Sequence, residues 1–201
     1  KNIKNKDILL FFKKNFFAKS ISNSSNLGLM TGYYEPELKA FKNKGKERYP
    51  IYRNPDKFKI KDLSQKTRAE INKGALENKR LEIAWVESEI EAFFLHVQGS
   101  GRLKFEDGNV IKVRYAGNNN KPYTSIGKVL MAENKIEKEK ISMFTIKEWL
   151  HKNILKSEEI MNQNKRYIFF KKEPYSLESS SGAMGNTLIA GTSIAIDKSL
   201  F

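Results

Sequence analysis

The residue types in this chain restrict the chemistry that it can perform. There is no cysteine, so thiolate ligands, disulfides and cysteine nucleophiles are excluded. His96 and His151 are the only histidines and do not form a pair at metal-ligand spacing, so we predict no metal and no cofactor. Ser100 lies in Gly-Ser-Gly without the spacing of a nucleophile elbow, which argues against a serine triad.

Among the carboxylates, Glu35 has the most suggestive position, between Tyr34 and Pro36 at the end of a strand-like segment. Cleavage of a sugar bond needs a proton donor, and carboxyl groups fill this role in glycosidases. The simpler interpretation is an acidic residue on a surface turn. The sequence by itself favours this simpler interpretation.

Tyrosines and side-chain amides gather in the glycine-containing segments of the chain. These residues are Tyr33, Tyr34, Tyr115, Tyr123, Gln98, Asn118, Asn119 and Asn120. Aromatic faces pack on the apolar sides of sugars, and amides bond sugar hydroxyls. The same aromatic faces stack on the bases of single-stranded nucleic acid, so both interpretations stay open at this point.

The stretch FLHVQGSGRL, residues 94–103, ends an apolar helical run in Gln98, Gly99, Ser100 and Gly101. Glycine lets a backbone approach a ligand closely because it has no Cβ. This loop therefore predicts either a ligand-binding wall or a plain joint between a helix and the next strand. His96, in helix register just before it, is predicted to be a partly buried polar residue.

The charge balance also bears on partners. The chain has 37 Lys and Arg against 23 Asp and Glu, a net charge of +14. Such a field favours anionic partners, although a lysine-rich composition can also serve solubility alone. The lysines are spread along the chain rather than clustered.

Local patterns predict the elements that position these residues. Residues 5–21 have the spacing of an amphipathic helix, packed on a core or, alternatively, lying on a membrane. Residues 27–38 look extended, and 102–117 predict a hairpin that turns at Asp107-Gly108. Helices are predicted at 124–133, 142–153 and 157–163, and strands at 166–173 and 191–200.

Four helix starts carry candidate caps. Thr67 with Glu70, and Ser88 with Glu91, have the spacing of capping boxes. Ser142 and Ser157 are candidate N-caps of the later helices. Strands before and after a mixed middle region predict an α+β protein, mainly β with helices, with an insertion in a discontinuous domain.

Three segments together resemble a known family. MTGYYEPEL, FFLHVQGSGRLKFEDG and RYAGNNNKPYTSIGKVL resemble, in order and spacing, the signature segments of the membrane-bound lytic transglycosylase A family. YPIYR, TRAEINKGAL and GAMGNTLIAGTSIAIDKSL resemble further segments of that family. The resemblance covers nearly the whole chain from about Gly28.

The resemblance implies an enzyme of the bacterial cell wall. Family members cleave the β-1,4 bond between N-acetylmuramic acid and N-acetylglucosamine in peptidoglycan, and the muramic acid C6 hydroxyl attacks its own C1. The product is a 1,6-anhydro end, and because this nucleophile is tethered, one acid/base can suffice. Peptidoglycan glycan strands are the expected partner, with cell-wall synthases as a further one, and no nucleic acid is expected.

The resemblance also implies the fold and the location. We expect a double-psi β-barrel domain, interrupted by a second, smaller β-barrel-like domain, with the glycan in the groove between them. We assign residues 1–48 and 166–201 to the barrel domain and 49–165 to the inserted glycan-groove domain. The implied location is the periplasm, with the full-length form anchored in the outer membrane through an N-terminal lipid that this chain does not carry.

The groove residues implied by the resemblance are all binding residues. They are Tyr33, Tyr34, Glu35, Gln98, Gly99, Ser100, Gly101, Tyr115 and Asn118. The family's catalytic aspartate lies beyond the part that matches SIAIDKSLF, so we expect no catalytic residue among these 201 and no activity from the chain alone. We expect Gly99→Val to abolish glycan binding and leave the fold intact. The alternative functions are a glycan-binding fragment and a basic nucleic-acid-binding module.

Overall fold

The computed structural model describes residues 5–17, 34–55, 66–173 and 188–189. The chain divides into two compact units, residues 1–33 and 34–201. In the first unit, α1 spans Asn5–Asn15, with Asp7 in its first turn and Lys13 and Lys14 in its last turn. These charges complement the helix dipole. The predicted helix is confirmed as far as Asn15, and the part of that prediction beyond residue 17 lies outside the described residues. Its expected packing on a core is wrong for the described residues, because the apolar side chains at Ile8, Leu9, Phe12, Phe16 and Phe17 are all exposed.

The described part of the second unit combines six strands with five further helices. The elements are β1 Glu37–Phe41, β2 Tyr49–Tyr52, α2 Arg68–Glu70, β3 Glu82–Val86, α3 Glu89–Gln98, β4 Ser100–Phe105, β5 Val110–Asn118, α4 Ile126–Ala132, α5 Met143–Lys152, α6 Ile154–Gln163 and β6 Ile168–Glu173. The described part of this unit also contains short helical segments at Ile71–Ala75 and Lys138–Lys140. The predicted α+β class is confirmed. No helix in the described ranges is long and apolar enough to cross a bilayer.

The six strands form one sheet in the order β2-β3-β1-β4-β5-β6. The pair β1 and β4 is parallel, and the other neighbours are antiparallel. A parallel pair needs a crossover connection, and here the chain from β1 to β4 passes through β2, β3 and α3. This topology puts β4 in the middle of the sheet, directly after α3.

The two edge strands approach each other. Arg53, the residue after β2, forms an isolated bridge with Phe170 of β6. The sheet therefore curls far enough for its first and last strands to touch. β1 and β6 lie in the ranges predicted for the barrel domain, and they belong to the same sheet as β2, β3, β4 and β5, which lie in the range predicted for the inserted domain. The double-psi barrel and the predicted boundaries, 1–48 with 166–201 and 49–165, stay predictions.

Helix α3 is the central packing element of the second unit. Ala92 and Leu95 join a core cluster with side chains of the sheet. Ile90, Phe93 and Phe94 pack instead against α4, α5 and α6. A helix that is apolar nearly all round must be buried on several sides, and α3 satisfies this by lying between the sheet and the other helices. Its C-terminal end is thereby fixed in place against β4.

The hairpin and two of the caps match their predictions. β4 and β5 turn at Asp107-Gly108, where Gly108 has a φ of 81° and its N–H bonds Phe105 O at 3.0 Å. The capping box of Thr67 and Glu70 is complete. Ser142 caps α5 and receives the N–H of Thr145 at 3.1 Å.

Two cap predictions need correction. The Ser88 side chain accepts from the Glu91 N–H at 3.2 Å, but the Glu91 carboxylate binds Lys147 Nζ at 2.8 and 2.9 Å. The Glu91 carboxylate, which would accept from the Ser88 backbone N–H in a complete capping box, instead binds a lysine of the neighbouring helix α5. Ser157 is wrong as a cap, because it is buried inside α6 and its hydroxyl donates to Ile154 O at 2.7 Å. The helix begins at Ile154, directly after α5 ends.

Candidate functional site

The predicted groove residues converge where α3 ends and β4 begins. β4 pairs with β5, and the register sets Ser100 opposite Arg114 and Gly101 opposite Val113. The second half of β5 carries Tyr115 and Asn118. The sheet therefore brings the Gln98–Gly101 loop beside the last residues of β5. Tyr33 lies outside the described residues.

Gly99 is the C-cap of α3. Its φ is 77°, in the left-handed region, and its N–H bonds Leu95 O at 2.8 Å. Glycine adopts this conformation without the steric cost that a Cβ brings. The loop is therefore a helix terminus, which agrees with its interpretation as a joint. Valine would be strained at this φ, so we expect Gly99→Val to lower the stability of the fold, and its effect on glycan binding stays a prediction.

Gly101 meets a second constraint, which is space. A Cβ there would lie 2.5 Å from Leu95 Cδ1 and 2.8 Å from Pro36 O. The close approach is between β4, α3 and the segment before β1, and not with a ligand. The N–H of Arg102 bonds Pro36 O at 2.8 Å, which holds the same segment in place. The two glycines around Ser100 thus have different structural reasons: Gly99 adopts a left-handed φ, and Gly101 lies where a Cβ would not fit.

Tyr115 is exposed, and the half-buried Asn118 lies beside it. Tyr115 is 48% exposed, and its backbone N–H bonds Gly99 O at 2.7 Å. Asn118 Nδ2 donates to the Tyr115 hydroxyl at 2.8 Å, and Asn118 Oδ1 accepts from the Asn120 N–H at 2.7 Å. The ring of Tyr115 is therefore held in one orientation with much of its surface in solvent. An exposed aromatic face can pack on the apolar side of a sugar ring.

Glu35 forms ion pairs within the fold. Its side chain is 8% exposed, and its carboxylate bridges Arg102 Nε at 3.1 Å and Lys112 Nζ at 3.0 Å. The two cations come from β4 and β5, so Glu35 ties the segment before β1 to both strands. Each carboxylate oxygen lies within ion-pair distance of a cation, and Oε2 accepts a hydrogen bond from Arg102 Nε, whereas Oε1 has no hydrogen bond from the described residues. We therefore assign Glu35 to positioning the site rather than to direct contact with a ligand.

The remaining predicted residues lie at the edge of the cluster. Tyr34 is 47% exposed beside Glu35. Gln98 is half-buried at the end of α3, and its Nε2 lies 3.6 Å from Met143 Sδ. Ser100 is half-buried at the first position of β4. The side chains of Tyr34, Tyr115 and Asn118 are the ones best placed to meet a ligand from solvent.

The three consecutive asparagines separate into two roles. Asn119 is fully buried, and its Nδ2 donates to Lys66 O at 2.7 Å and Lys165 O at 2.8 Å. Its Oδ1 accepts from the Tyr167 N–H at 2.8 Å. Asn119 thus joins the end of β5 to the starts of α2 and β6, and it is not available to a sugar.

Sequence reasoning missed Arg102 and Lys112. Arg102 lies two residues after Ser100 on β4, and Lys112 lies two residues before Arg114 on β5. Both form ion pairs with Glu35. The alternation of β4 and β5 placed them on one face, but no local pattern identifies their carboxylate partner, which lies 67 residues before Arg102 and further still before Lys112. The pairing of β1 with β4 is what brings them together.

Comparison with known proteins identifies the family. The family model described as the MltA specific insert domain matches residues 29–171. The chain belongs to the MltA family. The matched range includes the first five strands, most of β6 and the predicted groove residues. The family resemblance found in the sequence is therefore confirmed.

Relatives of known name agree with this assignment. The chain is 37% identical over 175 residues to membrane-bound lytic murein transglycosylase A of Vibrio cholerae, covering 86% of this chain and 46% of that relative. It is 37% identical over 194 residues to the MltA homolog of Buchnera aphidicola, covering 93% of this chain and 50% of the homolog. The chain thus spans about half the length of the curated relatives it matches.

Solved structures give the same result. Escherichia coli MltA with bound chitohexaose has 37% sequence identity and a TM-score of 0.75, covering 85% of this chain and 50% of that one. The structure from Burkholderia pseudomallei has 40% identity and a TM-score of 0.67, covering 84% of this chain and 50% of its own. The fold of this MltA chain is therefore shared with enzymes of the family.

Proposed function

We propose that this MltA chain is the glycan-binding half of a peptidoglycan lytic transglycosylase. The single observation that carries the proposal is the cluster at Gly99, Tyr115 and Asn118. It joins an exposed aromatic ring, an orienting amide and a ring position fixed by the backbone. Since the E. coli MltA structure with bound chitohexaose has a similar fold, a β-1,4-linked amino-sugar chain is the ligand we infer.

The proposed binding mode uses the chemistry of each group. The face of Tyr115 packs on the apolar side of a sugar ring, and Tyr34 supplies a second exposed aromatic surface. Asn118 holds the Tyr115 hydroxyl, which limits the entropy lost when the ring is covered. Glu35, Arg102 and Lys112 do not touch the glycan in this scheme. They fix β4 and β5 in register so that the exposed residues keep their spacing.

The proposed reaction of the whole enzyme is cleavage of the bond between N-acetylmuramic acid and N-acetylglucosamine, with a 1,6-anhydro end as product. The acid/base lies outside these groove residues, so the chain alone binds the glycan and does not cut it. In the cell we place the enzyme in the periplasm, held at the outer membrane. Cell-wall synthases are a further proposed partner.

The first experiment combines binding and product analysis. Chitohexaose is titrated into the chain by calorimetry, and purified peptidoglycan is incubated with it and analysed by mass spectrometry. Binding without released muropeptides supports the proposal. Absence of chitohexaose binding would reject the glycan-binding role. Anhydro-ended products would place a working acid within the 201 residues, and products carrying one more water would point to hydrolysis instead.

A salt series separates the nucleic-acid alternative. Binding to phosphate backbones releases counterions, so affinity for an oligonucleotide falls steeply with salt. A neutral glycan such as chitohexaose should bind with almost the same affinity at low and high salt. The net charge of +14 and the exposed aromatic rings favour a nucleic acid, and tight oligonucleotide binding with weak glycan binding would reverse the assignment.

A further inference from the structure

Strand β5 contains a β-bulge between the two residues that carry the proposed glycan site. Tyr115 pairs with Phe170 of β6. The next pair along the ladder is Gly117 with Phe169. Ala116 is therefore an extra residue between two successive pairs of the ladder. Bulges redirect the side chains that follow them, and they are common beside functional sites.

The bulge decides which face of the sheet carries Asn118. In a regular strand, residues three apart point to opposite faces, so Tyr115 and Asn118 would be separated by the sheet. With the extra residue, Asn118 instead pairs with Ile168. Ile168 and Phe170 lie two residues apart in one core cluster, so they share a face, and the residues paired with them share it too. The 2.8 Å bond from Asn118 Nδ2 to the Tyr115 hydroxyl agrees with this placement.

The side chain of Asn54 is bound to the bulge. Asn54 lies two residues after the end of β2, and its Nδ2 donates to Ala116 O at 2.8 Å. This bond gives a partner to the carbonyl of the extra residue. Arg53, directly before Asn54, forms the bridge with Phe170 that brings the chain after β2 to this place. The bulge is thus held by a residue that lies 62 positions earlier in the chain.

The geometry of Gly117 supports the same contact. Its φ is 143°, a conformation that glycine adopts readily and other residues rarely do. A Cβ at this position would also collide with Asn54 Nδ2. The glycine therefore permits both the backbone of the bulge and the close approach of the Asn54 amide.

We propose that Asn54 is a positioning residue of the glycan site, which it serves by holding the β5 bulge that turns Asn118 towards Tyr115. Asn54 does not touch the sugar in this scheme. Without its bond the bulge relaxes and Asn118 leaves the Tyr115 hydroxyl. The ring then has more freedom to lose when a sugar covers it, which weakens binding. The inference rests on the proposed glycan-binding function.

The first measurement follows the side-chain amide of Asn118 by NMR in the full chain without ligand. Asn118→Asp assigns its signals, and Tyr115→Phe gives their position when the hydroxyl is absent. We expect Asn54→Ala to shift these signals towards their position in Tyr115→Phe. Asn153→Ala is the matched control, because Asn153 Nδ2 also donates to a backbone carbonyl, Trp149 O, at 2.8 Å. The control should leave the signals unchanged, and unchanged signals in Asn54→Ala would overturn the proposal.

The second measurement is calorimetric titration with chitohexaose. Asn54→Ala should weaken binding about fivefold, whereas Asn153→Ala should bind like the wild type. In the Tyr115→Ala background, Asn54→Ala should cause no further loss, because its effect acts through the ring. A merely structural role would lower the affinity by the same factor in both backgrounds, and that result would overturn the proposal.

A second variant separates the hydrogen bond from the space that the side chain fills. Asn54→Asp retains the shape of the side chain and removes the donor, so it should repeat both effects of Asn54→Ala. Normal signals and normal affinity in Asn54→Asp would overturn the proposal, as would global unfolding of both variants in the absence of urea. A wild-type chain that bound no chitohexaose would reject the proposed function. The spectra without ligand would still decide whether Asn54 orients Asn118.

Discussion

The backbone N–H of Tyr115 donates a 2.7 Å hydrogen bond to the carbonyl oxygen of Gly99. This bond joins the two sequence segments that carry the family resemblance, the Gln-Gly-Ser-Gly loop and the Tyr-Ala-Gly segment. Gly99 ends α3 and Tyr115 lies in β5, so the bond also fixes the exposed ring relative to the helix. The candidate site is therefore built on rigid elements.

Substitutions at the two glycines should be distinguishable. Gly101→Ala should lower the free energy of unfolding by about 2 kcal/mol, because its Cβ would meet Leu95 and Pro36 in a packed region. Gly99→Ala should cost about 1 kcal/mol, since only its left-handed φ of 77° opposes a side chain. Urea unfolding measures both. Gly99→Asn should be milder than Gly99→Val, and a larger cost for Gly99→Ala than for Gly101→Ala would contradict this account.

Removal of the exposed ring should affect binding and not folding. Tyr115→Ala should weaken chitohexaose binding about tenfold, because the stacking surface is lost. Tyr115→Phe should retain most of the affinity and lose only the bond from Asn118. Phe144→Ala, which removes a ring 73% exposed on α5, is the matched control and should bind normally. Calorimetry gives the affinities, and equal binding by Tyr115→Ala and the wild type would exclude Tyr115 from the site.

Neutralisation of Glu35 should destabilise the second unit. Glu35→Gln leaves Lys112, with a side chain 12% exposed, without its carboxylate, and we expect a loss of about 2 kcal/mol. Glu87→Gln removes an ion pair with Lys39 in which both side chains are about half exposed, and it should cost about 0.5 kcal/mol or less. Chemical denaturation compares the two variants. Similar costs would mean that the burial of Glu35 has no energetic consequence.

Loss of the Asn119 side chain should be among the most damaging polar changes. Asn119→Ala leaves Lys66 O, Lys165 O and the Tyr167 N–H without their buried partner. We expect a cost of about 3 kcal/mol, from several unpaired groups together. Asn162→Ala, in the interior of α6, should change stability by less than about 0.5 kcal/mol. Thermal unfolding of both variants tests the contrast, and a mild Asn119→Ala would refute the structural role.

His96 is buried, its Nδ1 accepts from Arg68 Nη1 at 3.0 Å, and its neutral ring should make stability depend on pH. The pKa of His96 is depressed in the folded state, so only the unfolded state takes up a proton when the pH falls below about 6.5. The stabilising contribution is complete above that value and declines below it, by up to about 1.4 kcal/mol per pH unit. His96→Asn keeps an acceptor for Arg68 and should flatten the dependence between about pH 6.5 and pH 5. His151→Gln should retain it, and unfolding curves of both variants across this range decide the matter.

Local chemistry allowed several elements to be predicted from the sequence. The turn at Asp107-Gly108 and the capping box of Thr67 and Glu70 involve groups within a few residues of each other, so their signals lie in short stretches. Helix starts were less predictable where a residue distant in sequence binds the side chain that would otherwise cap the helix. Lys147 takes the Glu91 carboxylate, and α6 begins at Ile154 rather than at Ser157.

The sequence by itself determined the residue types of the site and the family to which the chain belongs. Tertiary structure decided which of those residues face solvent. Tyr34, Tyr115 and Asn118 are at least partly accessible. The side chains of Glu35 and Asn119 instead form ion pairs and hydrogen bonds with segments far away in sequence. The physical reason is that burial and ion pairing depend on strand order. The parallel pairing of β1 with β4 creates the Glu35 cluster, and no short-range pattern encodes it.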